Sequence, residues 1–291
     1  MAAIVLTGAS AGIGATAAVM LTAQGHEVLA TGRSADKLAG VHRRMLDMAP
    51  EGVAVPEPIV ADLAAMADVV ALADQLRARC ECIDVLANNA GLTTGSRQVS
   101  PDGFELTFAV NHLAPFLLTK LLVDLVKESG GRVVTTSSAV HRVGRLDLDD
   151  LQIERGWRRM RSYGSSKLAN ILFTTELRRR TGLPATCFHP GGVDTDLSRD
   201  SPFTRVFKWF GRFMRTPEQG ADTAPTTSCS RTRAVSRRKD RSRRSGTPGP
   251  GARSPRRSTR NFSAVAPRQR WLTPSRRCAG CWARTTCSPT S

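Results

Sequence analysis

The stretch "AIVLTGASAGIG", residues 3–14, is the most informative segment for the fold of the N-terminal part of this chain. Four apolar residues predict a short buried strand, and the glycine-rich segment after it opens a helical pattern at Gly12. Gly8, Gly12 and Gly14 allow a tight turn and a close approach of the backbone to a ligand. Unpaired N–H groups at the helix start favour an anion such as a pyrophosphate. Because ordinary tight turns also contain such glycines, the interpretation depends on the rest of the chain.

Short β-type runs alternate with longer helical patterns. The strand candidates are Ala3–Leu6, Glu27–Thr31, Pro58–Val60, Ile83–Ala87, Arg132–Thr136 and Ala185–His189. The helical candidates are Gly12–Gln24, Ala35–Met48, Ala64–Arg79, Gly103–Lys127 and Tyr163–Arg180. This alternation predicts an α/β fold, a doubly wound parallel sheet of the Rossmann type with helices on both faces. We assign it to one domain, residues 1–224, because the composition changes abruptly after Ala224.

The residues at the end of the second strand candidate distinguish a cofactor with a free ribose 2′-hydroxyl from one with a 2′-phosphate. An acidic residue at this position binds a ribose 2′-hydroxyl, whereas an arginine accommodates a 2′-phosphate. Here "ATGRS" places Gly32 where the acid would stand and Arg33 directly after it. The pattern favours NADP(H). The alternative is that Arg33 is an ordinary solvated arginine, which is common on protein surfaces.

Tyr163 and Lys167 are four residues apart on a predicted helix and therefore share a face. Tyr163 is the single tyrosine of the chain, so any phenol chemistry must use it. A lysine cation one turn away is expected to stabilise the phenolate and lower the tyrosine pKa. The alternative is a pair that only packs and is solvated.

Six motifs occur in the order typical of the short-chain dehydrogenase/reductase family, and the chain resembles that family. They are "TGASAGIG", "NNAG", "FAVNHLAPF", "VVTTSS", "YGSSK" and "HPGGVDT". The segments "NHLAPFLLTKLL" and "YGSSKLANILFTTEL" are most similar to its retinol-dehydrogenase-like branch. The resemblance implies hydride transfer between a nicotinamide and a carbonyl or alcohol substrate. Together with Arg33, it leads us to expect NADP(H) as the cofactor, and we expect no metal site.

The resemblance also implies roles for four catalytic residues. Tyr163 would exchange the proton with the substrate oxygen, and Lys167 would lower its pKa and hold the nicotinamide ribose. Ser138 would hydrogen-bond the substrate oxygen. Asn111 would kink its helix and support a water-linked proton relay to Lys167. Each has a structural alternative, since Ser138 could be a strand-end turn residue and Asn111 a helix irregularity.

The cofactor-binding residues implied by the resemblance lie after the strand candidates. Asp62 would contact the adenine, although it could instead cap the following helix. The full set is Gly8, Ser10, Gly12, Ile13, Gly14, Arg33, Asp62, Leu63, Asn88, Ala90, Gly91, Tyr163, Lys167, Pro190, Gly191, Val193 and Thr195.

The substrate side is less defined. Residues 141–162 form an insert between Ser138 and Tyr163, and residues 197–220 carry aromatic residues near helical spacing. In the family this second region is the substrate lid, which favours a lipophilic carbonyl substrate. An amphipathic helix that covers the core or contacts a second subunit fits the same pattern. The resemblance also suggests a homodimer formed by the two long helices.

The net charge of +17 comes almost entirely from residues 225–291, which contain 17 Lys and Arg and one acid. This segment has too few apolar residues to fold, so we predict a disordered basic tail. Nothing in it resembles the family's last strand, and the sheet is expected to lack that edge strand. Three interpretations stay open: a cationic arm for nucleic acid, a zinc site at Cys278, Cys281 and Cys287, or a shifted reading frame. We favour the frame shift.

Two other functions stay open at this point. The aberrant tail could leave a cofactor-binding protein with impaired catalysis, or it could bind nucleic acid, which the confinement of the charge to the tail makes the weaker hypothesis. The apolar run Ala2–Leu6 is far too short to span a bilayer, and no other segment approaches 18 apolar residues. The sequence therefore predicts a cytoplasmic protein without membrane contact.

Overall fold

The structure is a computed structural model that describes residues 1–190. Several expectations concern residues beyond this range: the cofactor contacts of Gly191, Val193 and Thr195, the lid segment 197–220, the domain boundary at Ala224 and the tail. These lie outside the described residues and stay predictions.

Within residues 1–190, six strands form one parallel sheet in the order β3–β2–β1–β4–β5–β6. Their bounds are β1 Ala3–Leu6, β2 Glu27–Gly32, β3 Ile59–Val60, β4 Val85–Asn88, β5 Arg132–Thr136 and β6 Ala185–Phe188. The central strand β1 pairs with β2 on one side, Ile4 opposite Val28, and with β4 on the other, Ile4 opposite Val85. The chain adds β2 and β3 on one side of β1 and then β4, β5 and β6 on the other side, as in a Rossmann-type fold. The predicted fold class is confirmed.

In the described part of the chain, five helices flank the sheet: α1 Gly12–Ala23, α2 Ala35–Met48, α3 Met66–Arg79, α4 Leu106–Glu128 and α5 Arg159–Thr181. Helix α4 contains a π-helical turn at Ala109–Leu113. Successive residues of β1 point to opposite faces, so Val5 packs in one buried apolar cluster with α3 and α4. Ile4 and Leu6 pack in the other cluster with α1 and α2.

The predicted element bounds agree with the structure to within four residues. The largest shift is at α5, which begins at Arg159 rather than Tyr163, so that Tyr163 lies in its second turn. Helix α4 begins at Leu106 rather than Gly103 because the carboxylate of Glu105 accepts a 2.7 Å hydrogen bond from the Phe108 amide and so caps the helix.

Within residues 1–190, β6 is the edge of the sheet. The expected loss of a further edge strand concerns residues outside this range and stays a prediction.

Helix α4 is long and apolar enough, by length and composition, to cross a membrane, and about half of it is buried in the fold. Core helices of soluble proteins share these properties, so the cytoplasmic location stays a prediction.

Candidate active site

The glycine loop between β1 and α1 is shaped by two close approaches. Gly8 has a φ of +70°, and a Cβ there would lie 2.6 Å from the Cα of Ala90. A Cβ at Gly14 would collide with the Gly8 carbonyl oxygen and lie 2.6 Å from Nδ2 of Asn89. Both positions therefore require glycine, which lets the loop lie against the segment that follows β4.

Thr7 and Asn89 join these two segments by hydrogen bonds. The Thr7 hydroxyl oxygen accepts hydrogen bonds from the amides of Asn89 (3.0 Å) and Ala90 (3.1 Å). Nδ2 of Asn89 donates to the Thr7 carbonyl oxygen at 3.0 Å. Sequence reasoning assigned no role to either residue, although Thr7 stands in "TGASAGIG" and Asn89 in "NNAG". The two motifs fold as a single unit.

The N-terminus of α1 suits an anion. Its N-cap residue, Ala11, offers no side-chain acceptor, and the first turn carries no acidic residue. The backbone N–H groups of Gly12, Ile13 and Gly14 are therefore not capped by a side chain, which is the arrangement that binds phosphate at a helix start.

Ser10, Gly32 and Arg33 lie together where β2 ends. A Cβ at Gly32 would lie 3.0 Å from the hydroxyl oxygen of Ser10, so this corner is closely packed. Arg33 follows with an exposed side chain. A hydroxyl and a guanidinium at the end of β2 offer hydrogen-bond donors but no acceptor carboxylate for a ribose 2′-hydroxyl.

The ends of β3 and β4 carry the next predicted cofactor residues. Asp62 is exposed, and its carboxylate accepts a 3.0 Å hydrogen bond from the Ala64 amide in a turn before α3. The N-cap of α3 is Ala65, so Asp62 is not the cap, while Leu63 beside it is half-buried. Asn88 is buried and donates to the Thr119 hydroxyl at 2.9 Å. Its Oδ1 is buried with no hydrogen-bond partner among the described residues.

Lys167 lies inside the fold with only 2% of its surface exposed. Its Nζ donates a 3.0 Å hydrogen bond to the carbonyl oxygen of Thr136 at the end of β5. Nζ also lies 5.6 Å from the centre of the Tyr163 ring, as the spacing on one helix face predicts. Burial lowers the pKa of the ammonium to about 8, an effect that Cys187 partly opposes.

Tyr163 is half-buried, and Ser138 is the polar side chain that acts on its phenol. Burial raises the Tyr163 pKa above its ordinary value, and Ser138 lowers it by a smaller amount. The sequence-based expectation of a lowered pKa is therefore wrong, because desolvation of the phenolate outweighs the nearby polar groups.

Asn111 is fully buried in the π-helical turn of α4. Its Oδ1 accepts from the Leu92 amide at 2.7 Å, and its Nδ2 donates to the Leu92 carbonyl oxygen at 2.9 Å and the Ser166 hydroxyl at 3.0 Å. With its side chain engaged in this way, Asn111 ties the segment after β4 to α5. It is a positioning residue, and the water-linked relay through it stays a prediction.

The insert after Ser138 packs backbone to backbone against the start of α5. A Cβ at Gly164 would lie 2.8 Å from the carbonyl oxygen of Val140, and one at Gly144 would collide with the Gly164 carbonyl group. The Ser165 hydroxyl accepts from the Arg145 amide at 3.1 Å and donates to its carbonyl oxygen at 2.6 Å. These contacts fix the 3-10 helix Ala139–Val143, and with it Ser138, beside Tyr163.

Gly91 lies close to the Lys167 ammonium. A Cβ there would lie 3.3 Å from both Nζ of Lys167 and Oδ1 of Asn111. This close approach, the uncapped start of α1 and the unpaired Oδ1 of Asn88 lie along the carboxyl edge of the sheet, so the residues fit a dinucleotide. Pro190 is buried after β6 at the same edge. Residues 1–190 contain no cluster of three or more His, Cys, Asp or Glu side chains arranged for a metal ion.

Ser138 and Tyr163, beside the buried Lys167 ammonium at this edge, indicate a Rossmann-type, nicotinamide-dependent oxidoreductase. The profile of the short chain dehydrogenase family matches residues 2–204, and the chain belongs to this family. Its reaction class is hydride transfer between alcohols and carbonyl compounds. A Streptomyces sp. (strain C5) protein provisionally named daunorubicin C-13 ketoreductase DnrU is 39% identical over 222 residues, 76% of this chain and 75% of that protein.

Human retinol dehydrogenase 14 is 37% identical over 245 residues, covering 76% of this chain and 72% of that protein. These relatives support the retinol-dehydrogenase-like branch. A short chain dehydrogenase from Burkholderia cenocepacia J2315 in complex with NADP has the same fold, with a TM-score of 0.58 and 27% identity over 75% of this chain and 86% of that chain.

Proposed function

We propose that this protein is an NADP(H)-dependent reductase of lipophilic aldehydes or ketones, able to oxidise the corresponding alcohols. The observation that carries the proposal is the Lys167 ammonium, 5.6 Å from the centre of the Tyr163 ring, with Ser138 held beside the same tyrosine. A hydroxyl donor next to a phenolic acid is the pair that reduction of a carbonyl oxygen requires.

Each residue has a distinct task in the reduction. The bound nicotinamide supplies the hydride. Ser138 donates a hydrogen bond to the substrate oxygen and stabilises the negative charge that develops there. Tyr163 transfers its phenolic proton to that oxygen, and in the reverse direction it accepts the proton. Lys167 donates one of its three N–H groups to the Thr136 carbonyl oxygen, and the other two can donate to the ribose hydroxyls.

The preference for NADP(H) rests on the end of β2. Arg33 offers a cationic donor and Ser10 a hydroxyl, a pair that suits a 2′-phosphate. The complexes of related enzymes with NADP support the same preference. Relatives named for retinol and daunorubicin suggest a bulky, largely apolar carbonyl substrate.

A spectrophotometric assay tests this proposal with two carbonyl probes, all-trans-retinal and daunorubicin. We expect loss of NADPH absorbance with at least one probe and a weaker signal with NADH. A thermal melt with each nucleotide tests binding separately, because a ligand that binds the folded state raises the melting temperature. A melting temperature that neither nucleotide changes would contradict the proposal.

We also propose a homodimer through α4 and α5. Phe116 on α4 and Leu172 on α5 are large apolar side chains that are 46% and 53% exposed, and Phe116 packs 5.5 Å from Phe173 of α5. Exposed apolar side chains on these two helices suit a contact between subunits. Light scattering of the purified chain tests this assembly, and a monomer at all concentrations would contradict it.

A further inference from the structure

Asn170 lies on α5 three residues beyond Lys167 and is only 2% exposed. The residue is buried and polar, so its amide must be satisfied inside the fold. Sequence reasoning gave it no role, although its position in "YGSSKLAN" places it close to the face that carries Tyr163 and Lys167.

The partners of Asn170 determine which way its amide points. Nδ2 donates to the carbonyl oxygen of Asn111 at 2.9 Å and to that of Thr136 at 3.4 Å. Carbonyl oxygens only accept hydrogen bonds, so the NH₂ group must face them. Oδ1 therefore faces His112, whose Nδ1 lies 3.1 Å away and must carry the hydrogen.

Both carbonyl groups belong to the active site. The Thr136 oxygen also accepts the hydrogen bond from the Lys167 ammonium, at 3.0 Å. The Asn111 carbonyl lies in the π-helical turn whose side chain holds the segment after β4. Asn170 thus links the acceptor of Lys167 on β5 to the π-helical turn of α4.

We propose that Asn170, oriented by the Nδ1–H of His112, is a positioning residue that sets the place of the Lys167 ammonium beside Tyr163. This inference rests on the proposed function. If the amide loses its orientation, an oxygen turns toward the Thr136 and Asn111 carbonyls, and repulsion moves the groups that hold Lys167. A displacement of about 1 Å at such a site costs up to roughly 100-fold in rate.

His112 has a competing structural role. Its ring packs against Phe108 at 5.1 Å and against Phe116 and Phe173, each at 6.3 Å. If the main role of His112 is ring packing, a phenylalanine at this position should preserve activity. If its main role is the hydrogen bond to Asn170, an asparagine should preserve activity, because its Nδ2 can donate in place of the histidine Nδ1.

The two roles therefore predict opposite rankings of H112F and H112N in kcat. We expect H112F to keep the higher melting temperature but to lose roughly 10- to 100-fold in kcat with NADPH and the active carbonyl probe. H112N is expected to melt lower and to keep most of the wild-type kcat. Equal kcat in the two variants, or the larger loss in H112N, would overturn the proposal.

A second comparison acts on Asn170 itself. In Asn170→Asp the carboxylate cannot donate to either carbonyl oxygen, so kcat should fall while NADPH still raises the melting temperature. Thr175→Val is the control on the same helix, since that exposed hydroxyl bonds only the Ile171 carbonyl, and its kcat should not change. Wild-type kcat in Asn170→Asp would overturn the proposal, and if this variant fails to fold, the His112 pair decides.

Failure of the proposed function gives a different result. In that case the wild-type chain shows neither turnover of the probes nor a response to NADPH. An active wild type with fully active Asn170→Asp and His112→Phe variants would leave the proposed function standing and remove only the inference about Asn170.

Discussion

The ammonium of Lys167 donates a 3.0 Å hydrogen bond to the carbonyl oxygen of Thr136, across the boundary between α5 and β5. The bond holds a fully buried cation at the carboxyl edge of the sheet, beside Tyr163. Burial of a charge is costly and is retained where a site uses it.

Stability should depend on pH through Lys167. Burial lowers its pKa in the folded chain to about 8, from 10.5 for a free lysine. Between these values the unfolded chain binds more protons, so the free energy of unfolding rises as the pH increases from about 8 towards 10.5. The gain has an upper limit of roughly 3 kcal/mol for this group.

Urea unfolding of the wild type and of Lys167→Met at pH 7 and pH 10 measures this effect. Groups common to both proteins cancel in the comparison. The wild type should gain stability relative to the variant at the higher pH, because only the wild type carries the buried ammonium. A difference that does not change with pH would show that the cation is not desolvated as described.

Tyr163→Phe should abolish most of the turnover. Loss of the phenolic proton removes a general acid, which is worth roughly 10²- to 10⁴-fold in kcat. The ring and its contact with Lys167 remain, so NADPH should still raise the melting temperature. Steady-state assays with the active carbonyl probe check this. Unchanged kcat would mean that another group supplies the proton.

Arg33→Ala should weaken NADPH binding and leave NADH binding unchanged. A hydrogen bond to a charged group contributes about 1.5–3 kcal/mol, which corresponds to roughly 10- to 100-fold in Kd. Calorimetric titration with both nucleotides measures it. Arg44→Ala is the charge-matched control, since Arg44 is exposed on α2, away from the glycine loop. Equal effects of the two substitutions would assign the preference to overall charge.

Gly14→Ala should destabilise the fold, because its methyl group would collide with the Gly8 carbonyl oxygen. Overpacking of this kind costs about 1–3 kcal/mol. Gly40→Ala on α2 is the matched control, since no atom lies within 4 Å of a Cβ there, and alanine is a better helix former by about 1 kcal/mol. Thermal melts should show shifts of opposite sign, and equal shifts would contradict the described loop geometry.

Local patterns in the sequence predicted most of the fold. The strand Ala3–Leu6 and the helix Ala35–Met48 were found at their observed bounds, because apolar runs and helical periodicity act over a few residues. The pairing of Tyr163 with Lys167 was also local, since four residues make one helical turn. The boundary shift at α5 arose because no strong capping residue marks its start at Arg158.

The doubly wound sheet, the glycine loop and the tyrosine and lysine on one helix face could all be predicted from sequence patterns. That the Tyr163 pKa is raised rather than lowered became clear only from the tertiary structure, because burial depends on which elements pack around the phenol. It alone joined Asn170 to the Asn111 carbonyl, 59 residues away in the chain, and to that of Thr136, 34 residues away. Hydrogen bonds over such separations form only when the packing of strands and helices brings distant backbone groups together.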